Sequence, residues 1–184
     1  EDDRPTRILE ALGGHTQLES LALTHMHIER AECLSLVALP CFSNLITLRL
    51  PGNSVGDQGV EALAGALAND RTQLSGLDLS YNQSITGRGL QSLANLLESA
   101  TTQLKAVNLT GSDVDDEGAT ILARALARNC KLEYLGLVTA NEDHHLAHQL
   151  GITSVCNRMS TQGWWAFANA LCDTASIDRT CYSN

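Results

Sequence analysis

His144 and His148 lie four residues apart, with Glu142 and Asp143 just ahead of them. On a local helix the two imidazoles would share a face, and neutral imidazole with carboxylate suits zinc. No second, distant ligand group accompanies them, and the H-E-x-x-H pattern is absent. The same residues also read as a partner-contacting loop or as a plain solvated excursion. The stretch Gly52 to Gly59, GNSVGDQG, has phosphate-loop flavour but lacks the Lys-Ser/Thr that reaches a β-phosphate and its metal. Six cysteines, at 33, 41, 130, 156, 172 and 181, include no C-x-x-C pair and no spacing-coded His partner. They read as reduced, mostly buried thiols. No Ser/His/Asp set has an ordered nucleophile context. The expectation is a protein that is not an enzyme and carries no cofactor and no metal.

Composition narrows the partners. Twelve Lys and Arg stand against 21 Asp and Glu, a net charge of −9, which argues against nucleic acid and anionic membrane. No apolar run reaches the length of a membrane span. At 184 residues with 43% apolar content, the chain is sized for one ordered domain. The expected partner is a protein, not a small molecule, and the expected location is the cytoplasm. Two Asn-x-Ser/Thr triplets, at Asn82 and Asn108, fall inside the repeat described next, so chance explains them better than glycosylation.

The elements that would carry any site come from a repeat. Segments opening at Leu18, Leu45, Leu74, Leu104 and Leu132 share the frame L-x-x-L-x-L, with spacings of 27, 29, 30 and 28 residues. Eight residues after the opening Leu comes Asn53 or Asn82, with Met26 and Ser112 at that place in the first and fourth units. Gly59, Gly89 or Gly118 then precedes a stripe at helical spacing, for example Val60, Leu63, Ala64 and Leu67. Asp57 and Asp116, two residues before the glycine, are expected to cap these helices. Each unit reads as short strand, turn and helix. Neither element can bury its apolar face alone, so neighbours must stack.

In the fifth unit the frame breaks after Leu137 and resumes at Asn157, with Met159, Gly163, Trp164 and Phe167 in register. A 17-residue insertion within about 138–156 accounts for the shift. The expected organisation is a single domain over 1–184 with about five repeats. Ile8 to Leu12 reads as the helix tail of an earlier unit. Glu1 opens the chain instead of Met, and the next repeat-opening Leu would fall just after Asn184. Both lead to the expectation of a fragment of a longer repeat protein.

The pattern L-x-x-L-x-L-x-x-N-x-V-x-D-x-G followed by an Ala/Leu helix resembles the ribonuclease-inhibitor type of leucine-rich repeat. Leu45 to Leu67, LITLRLPGNSVGDQGVEALAGAL, match it best. The first unit departs from it, with Met26 in place of Asn and no glycine before its helix. The resemblance extends to the repeat regions of NOD-like receptors and to the activator of the GTPase Ran. It implies an α/β solenoid, a curved horseshoe with parallel strands on its concave face and helices on its convex face. Asn53, Asn82 and Asn157 would form a polar ladder with turn backbone. It also implies a protein-binding module or, alternatively, a regulator of an enzyme, as a small-GTPase activator or a hydrolase inhibitor.

Strand residues between the core leucines alternate outward. The central outward row is Ala22, Arg49, Asp78, Asn108 and Gly136. Ser20, Thr47, Gly76, Ala106 and Tyr134 flank it on one side, and Thr24, Pro51, Ser80, Thr110 and Val138 on the other, with His25 and Tyr81 at the rim. Arg49, Asp78, Tyr81, Asn108 and Tyr134 are the candidate contacts, Arg and Tyr having the chemistry of interface anchors. Alternatively Arg49 pairs with Asp78 and the row is merely solvated. Trp164 aligns with core positions. Trp165 aligns with Glu61, Gln91 and Thr120 and is either an exposed contact or packed against Cys172 or a further repeat.

Overall fold

The computed structural model describes residues 4–129, 131–137, 157 and 159–172. Strands and helices alternate: α1 (Arg4–Leu12), β1 (Ser20–Ala22), α2 (Arg30–Val37), β2 (Thr47–Arg49), α3 (Gly56–Leu67), β3 (Gly76–Asp78), α4 (Gly87–Glu98), β4 (Ala106–Asn108), α5 (Asp116–Leu126), β5 (Tyr134–Gly136) and α6 (Thr161–Cys172). The strands form one parallel sheet in sequence order. Leu21, Leu48, Leu77, Val107 and Leu135 are register partners on successive rungs. That order follows from the repeat. Each strand is followed by a turn and a helix that returns the chain one rung along, as parallel pairing requires.

The core lies between sheet and helices. Leu48, Leu50, Leu79, Val107, Leu109 and Leu137 point into it from the strands and are fully buried. From the helices come Val60, Leu63, Ala64 and Leu67 of α3, then Leu90, Leu93, Ala94 and Leu97 of α4. Ala119, Leu122 and Ala123 of α5 and Phe167 of α6 continue the layer. The three-residue strands keep their hydrogen bonding just past their ends. Leu23 donates to Arg49, Leu50 to Asp78, Leu79 to Asn108 and Leu109 to Gly136, at 2.8–2.9 Å.

A polar ladder closes each turn. The Asn53 side-chain oxygen accepts from the N–H groups of Met26 and Ile28 at 2.8 and 3.0 Å, and its amide donates to the Leu23 carbonyl at 2.7 Å. Asn82 accepts from Val55 at 3.1 Å and donates to Leu50, Leu79 and Ser80. The Ser112 hydroxyl donates to Leu79 at 2.8 Å, and Asn157 accepts from Val114 and donates to Leu109. Each of these four side chains thus satisfies backbone groups of the rung before it, which a buried turn demands. No buried side-chain nitrogen or oxygen among the described residues lacks a partner. Asn82 is fully buried, so its triplet has no room for a glycan.

The helix starts differ from the expected caps. Asp57 lies inside the first turn of α3, whose N-cap is Val55 with no side-chain bond. Its carboxylate instead serves the next rung, accepting from the Thr86 N–H and hydroxyl at 2.7 Å and from the Gly89 N–H at 3.0 Å, at the start of α4. Asp116 does the same for α6 through the Ser160 N–H and hydroxyl. The α5 N-cap is Asp115, which bonds Gly118 at 2.9 Å. Gly87 stands where Asp57 and Asp116 do, so α4 offers α5 no carboxylate and α5 supplies its own. The close approach explains the recurring glycine: a Cβ on Gly89 would sit 2.7 Å from Asp57 Oδ1 and 3.2 Å from its Cα. The first unit, without that glycine, has a shorter helix started by a Glu29–Glu32 capping box.

Candidate functional site

Three of the candidate residues share one row. Arg49, Asp78 and Asn108 are register partners on β2, β3 and β4, and Gly136 follows on β5. Tyr134, on the flanking row of β5, is 43% exposed, and its hydroxyl reaches over Gly136. The pairing of Arg49 with Asp78 does not form. Asp78 Oδ1 turns back to accept the Ser80 N–H at 2.9 Å, and Asn108 Oδ1 accepts from Thr110 at 3.1 Å. Both satisfy backbone donors at the strand end, so neither is a freely displayed group. Arg49 is exposed and takes part in no ion pair among the described residues. The flanking row also needs correction at Ser80, which is 4% exposed and not outward.

Tyr81 lies at the rim and is 53% exposed. It holds a left-handed backbone, φ 56°, as does His25 at φ 52°. Gly52 and Gly111 occupy the equivalent places on the alternate rungs with φ 65° and 67°. The repeat therefore demands a positive φ there, which glycine meets without cost and His or Tyr does not. The aligned glycines were the signal in the sequence that these two side chains sit on strained backbone.

Trp165 is on α6, 55% exposed, in the helix layer and not with the strand-face residues. The side chain of Trp164 and the segment 138–156, with His144 and His148, lie outside the described residues. On the helix side Arg30, Leu34, Gln58, Glu61, Ala62 and Arg88 line an open groove of about 350 Å³, bridged by an Arg88–Glu61 pair at 3.3 Å. That pair, Lys105–Glu133 and Arg128–Glu98 each join adjacent rungs at the exposed surface, where such pairs contribute little.

The electrostatics are structural in character. Burial pushes the Asp57 carboxyl up, but the donors of Thr86 and Gly89 and the charge of Arg88 outweigh it, holding it below the ordinary carboxylate value. Cys33 and Cys41 are free and buried. Burial, helped by the Glu32 charge, pushes the Cys33 thiol up to about 12, so it is neutral and unreactive. Among the described residues no cluster of His, Cys, Asp and Glu is arranged to hold a metal ion. Nor is any described helix long and apolar enough to cross a membrane.

Comparison with known proteins agrees with this architecture. The family model described as Leucine Rich repeat matches residues 43–64, 74–94 and 102–123. No curated protein matches the chain significantly. The matched segments span β2 and most of α3, β3 with the first two thirds of α4, and β4 with most of α5. Such repeats generally serve as non-enzymatic protein-binding modules. The described strands, turns and helices fold as an α/β leucine-rich-repeat solenoid, with leucine-rich repeats matched in its three central units.

Proposed function

We propose that this chain binds a protein partner through its strand face and the adjacent loops. The observation that carries the reading is a division of labour among side chains. The strand leucines are taken up by the core and the ladder residues by backbone, while Arg49, Tyr81 and Tyr134 project from the opposite side of the same rungs. Exposed Arg and Tyr side chains are characteristic anchors of protein interfaces. Asp78 and Asn108 contribute shape and polarity beside them, each with its Oδ1 engaged by backbone. Trp165 is a separate contact on the helix side. The reading is of a binding scaffold without catalysis, cofactor or metal, and with no nucleic-acid, membrane or small-molecule ligand. The ladder of Asn53, Asn82 and Asn157 supports the ribonuclease-inhibitor-like subtype. The free thiols of Cys33 and Cys41 support a reducing, cytoplasmic setting.

The test titrates a partner isolated by affinity capture against Arg49→Glu, Tyr134→Ala and Trp165→Ala, with thermal melting as the control for folding. Each strand-face change is expected to weaken binding about tenfold, or ~1.4 kcal/mol. Unchanged binding in both, with loss only in Trp165→Ala, would move the site to α6 and refute the proposal.

A further inference from the structure

We propose that the rim formed by His25, Gly52, Tyr81 and Gly111 is a track for a proline-rich, basic segment of the partner in polyproline II conformation. The inference rests on the strand-face reading above and specifies what that face takes. Its first support is the alternation of large and small. The four residues are equivalent, one per rung, and all have positive φ. Glycine suits this position, yet every second rung carries a ring instead. The rings lie across the next rung's glycine. A Cβ on Gly111 would fall 2.7 Å from Cδ1 and 2.9 Å from Cε1 of Tyr81, and one on Gly52 would collide with the His25 imidazole. Each ring therefore rests one side on bare backbone, with much of its area still exposed.

Spacing selects the ligand. His25 donates to the Pro51 carbonyl at 3.1 Å, Gly52 to Ser80 at 2.9 Å and Tyr81 to Thr110 at 2.7 Å, so the rim keeps the sheet's rung-to-rung pairing. Parallel rungs stand about 4.8 Å apart, which places the two rings about 9.6 Å apart. A polyproline II helix returns to the same face every three residues, about 9.3 Å. An extended strand returns every two residues, about 6.8 Å, and an α-helix every turn, about 5.4 Å. Only the first matches one ring per ligand turn. Prolines at i and i+3 would stack on His25 and Tyr81, the mode by which aromatic-lined surfaces take preformed proline helices.

Charge supplies the second selection. Past Gly111 the chain runs directly into Asp113, Asp115, Asp116 and Glu117, of which Asp115 caps α5 and Asp116 holds Ser160, and Asp78 precedes Tyr81 by three residues in a chain of net charge −9. Arg49 is set back on the central row, where it faces the rest of the partner. A ligand with Lys or Arg beyond its second proline is therefore complementary to the Gly111 end, and an acidic one is repelled there.

The experiment uses the 184-residue chain and a fluorescein-labelled 12-residue peptide with prolines at i and i+3 followed by two arginines, read by anisotropy. Control peptides carry the prolines at i and i+2, or two glutamates for the arginines. Saturable binding of the first peptide, weakened about tenfold in Tyr81→Gly and in His25→Gly, is expected. Tyr81→Phe should bind as the parent does. Because glycine relieves the left-handed strain, both glycine variants should melt at or above the parent's temperature, so lost binding is not lost folding. No saturable binding by the parent, equal binding by Tyr81→Gly, or equal or better binding of either control peptide overturns the inference. If the peptide fails while Arg49→Glu and Tyr134→Ala still lose the partner, this inference falls and the strand-face reading stands.

Discussion

Replacing Asn82 by Ala tests the ladder at its most fully connected rung. Asn82 is completely buried and makes four side-chain bonds. Their loss is uneven. The Leu79 carbonyl keeps the Ser112 hydroxyl at 2.8 Å, and the Ser80 carbonyl keeps the Gly52 N–H at 2.9 Å. The Val55 N–H loses its 3.1 Å acceptor and the Leu50 carbonyl its 2.9 Å donor. A buried polar group stripped of its partner costs about 1–3 kcal/mol, so two such groups put the substitution at ~3 kcal/mol, with the N–H the larger share. Ser112→Ala is the internal control. It removes one donor from Leu79, which still receives the Asn82 amide at 2.9 Å, and the long 3.4 Å acceptor of the Asn82 N–H, so ~1 kcal/mol is expected. Urea unfolding followed by far-UV circular dichroism reads the difference. With a slope of about 2 kcal/mol/M, Asn82→Ala should lower the midpoint by ~1.5 M and Ser112→Ala by ~0.5 M. A cost below 1 kcal/mol for Asn82→Ala, or equal costs for the two, would refute the idea that each rung's side chain satisfies its neighbour's backbone.

Asp57→Asn should destabilise the chain at pH 7 by about 1 kcal/mol, the worth of a helix cap, although the cap belongs to the helix one rung on. The Asp57 carboxyl is held below its unfolded value, so its contribution is whole above about pH 4–5 and vanishes as pH falls through the folded value. The stability gap between parent and variant, measured by urea titration from pH 7 to pH 2.5, should therefore close at the acid end. A gap that stays constant or widens would contradict the cap. Gly89→Ala should cost about 2 kcal/mol, because the added methyl meets Asp57. Gly65→Ala, on an exposed stretch of α3 with open space around it, should gain about 0.5–1 kcal/mol from helix propensity; thermal melting of the pair checks both signs. Cys33 should escape iodoacetamide at pH 8 in the folded chain and react in urea, as mass mapping of its peptide would reveal; native labelling would contradict its burial.

The inward half of this molecule was legible in its sequence, and the outward half only in outline. Leu48, Leu77 and Val107 could be placed because burial repeats with the unit, and Asn53 and Asn82 because a buried turn needs a polar partner at a fixed offset. The partner of Asp57 was not legible. Capping rules look a few residues along one helix, whereas Thr86 lies 29 residues away on the next rung. The same limit applied to Asp78 and Asn108. Alternation puts their Cβ atoms outward correctly, but a short polar side chain at a strand end finds the N–H two residues on before it finds a neighbour. Ser80 is buried by the turn that Asn82 closes, where the period-two pattern of the strand no longer holds.

The account holds that rungs are locked from within and read from the strand side. Photo-crosslinking from single positions on either side tests it most directly. A photoreactive residue at exposed Ala22, on the central strand row, should form a covalent adduct with the partner, and the same group at exposed Gln91 on α4 should form none. An adduct from position 91 with none from position 22 would place recognition on the helices and contradict the account.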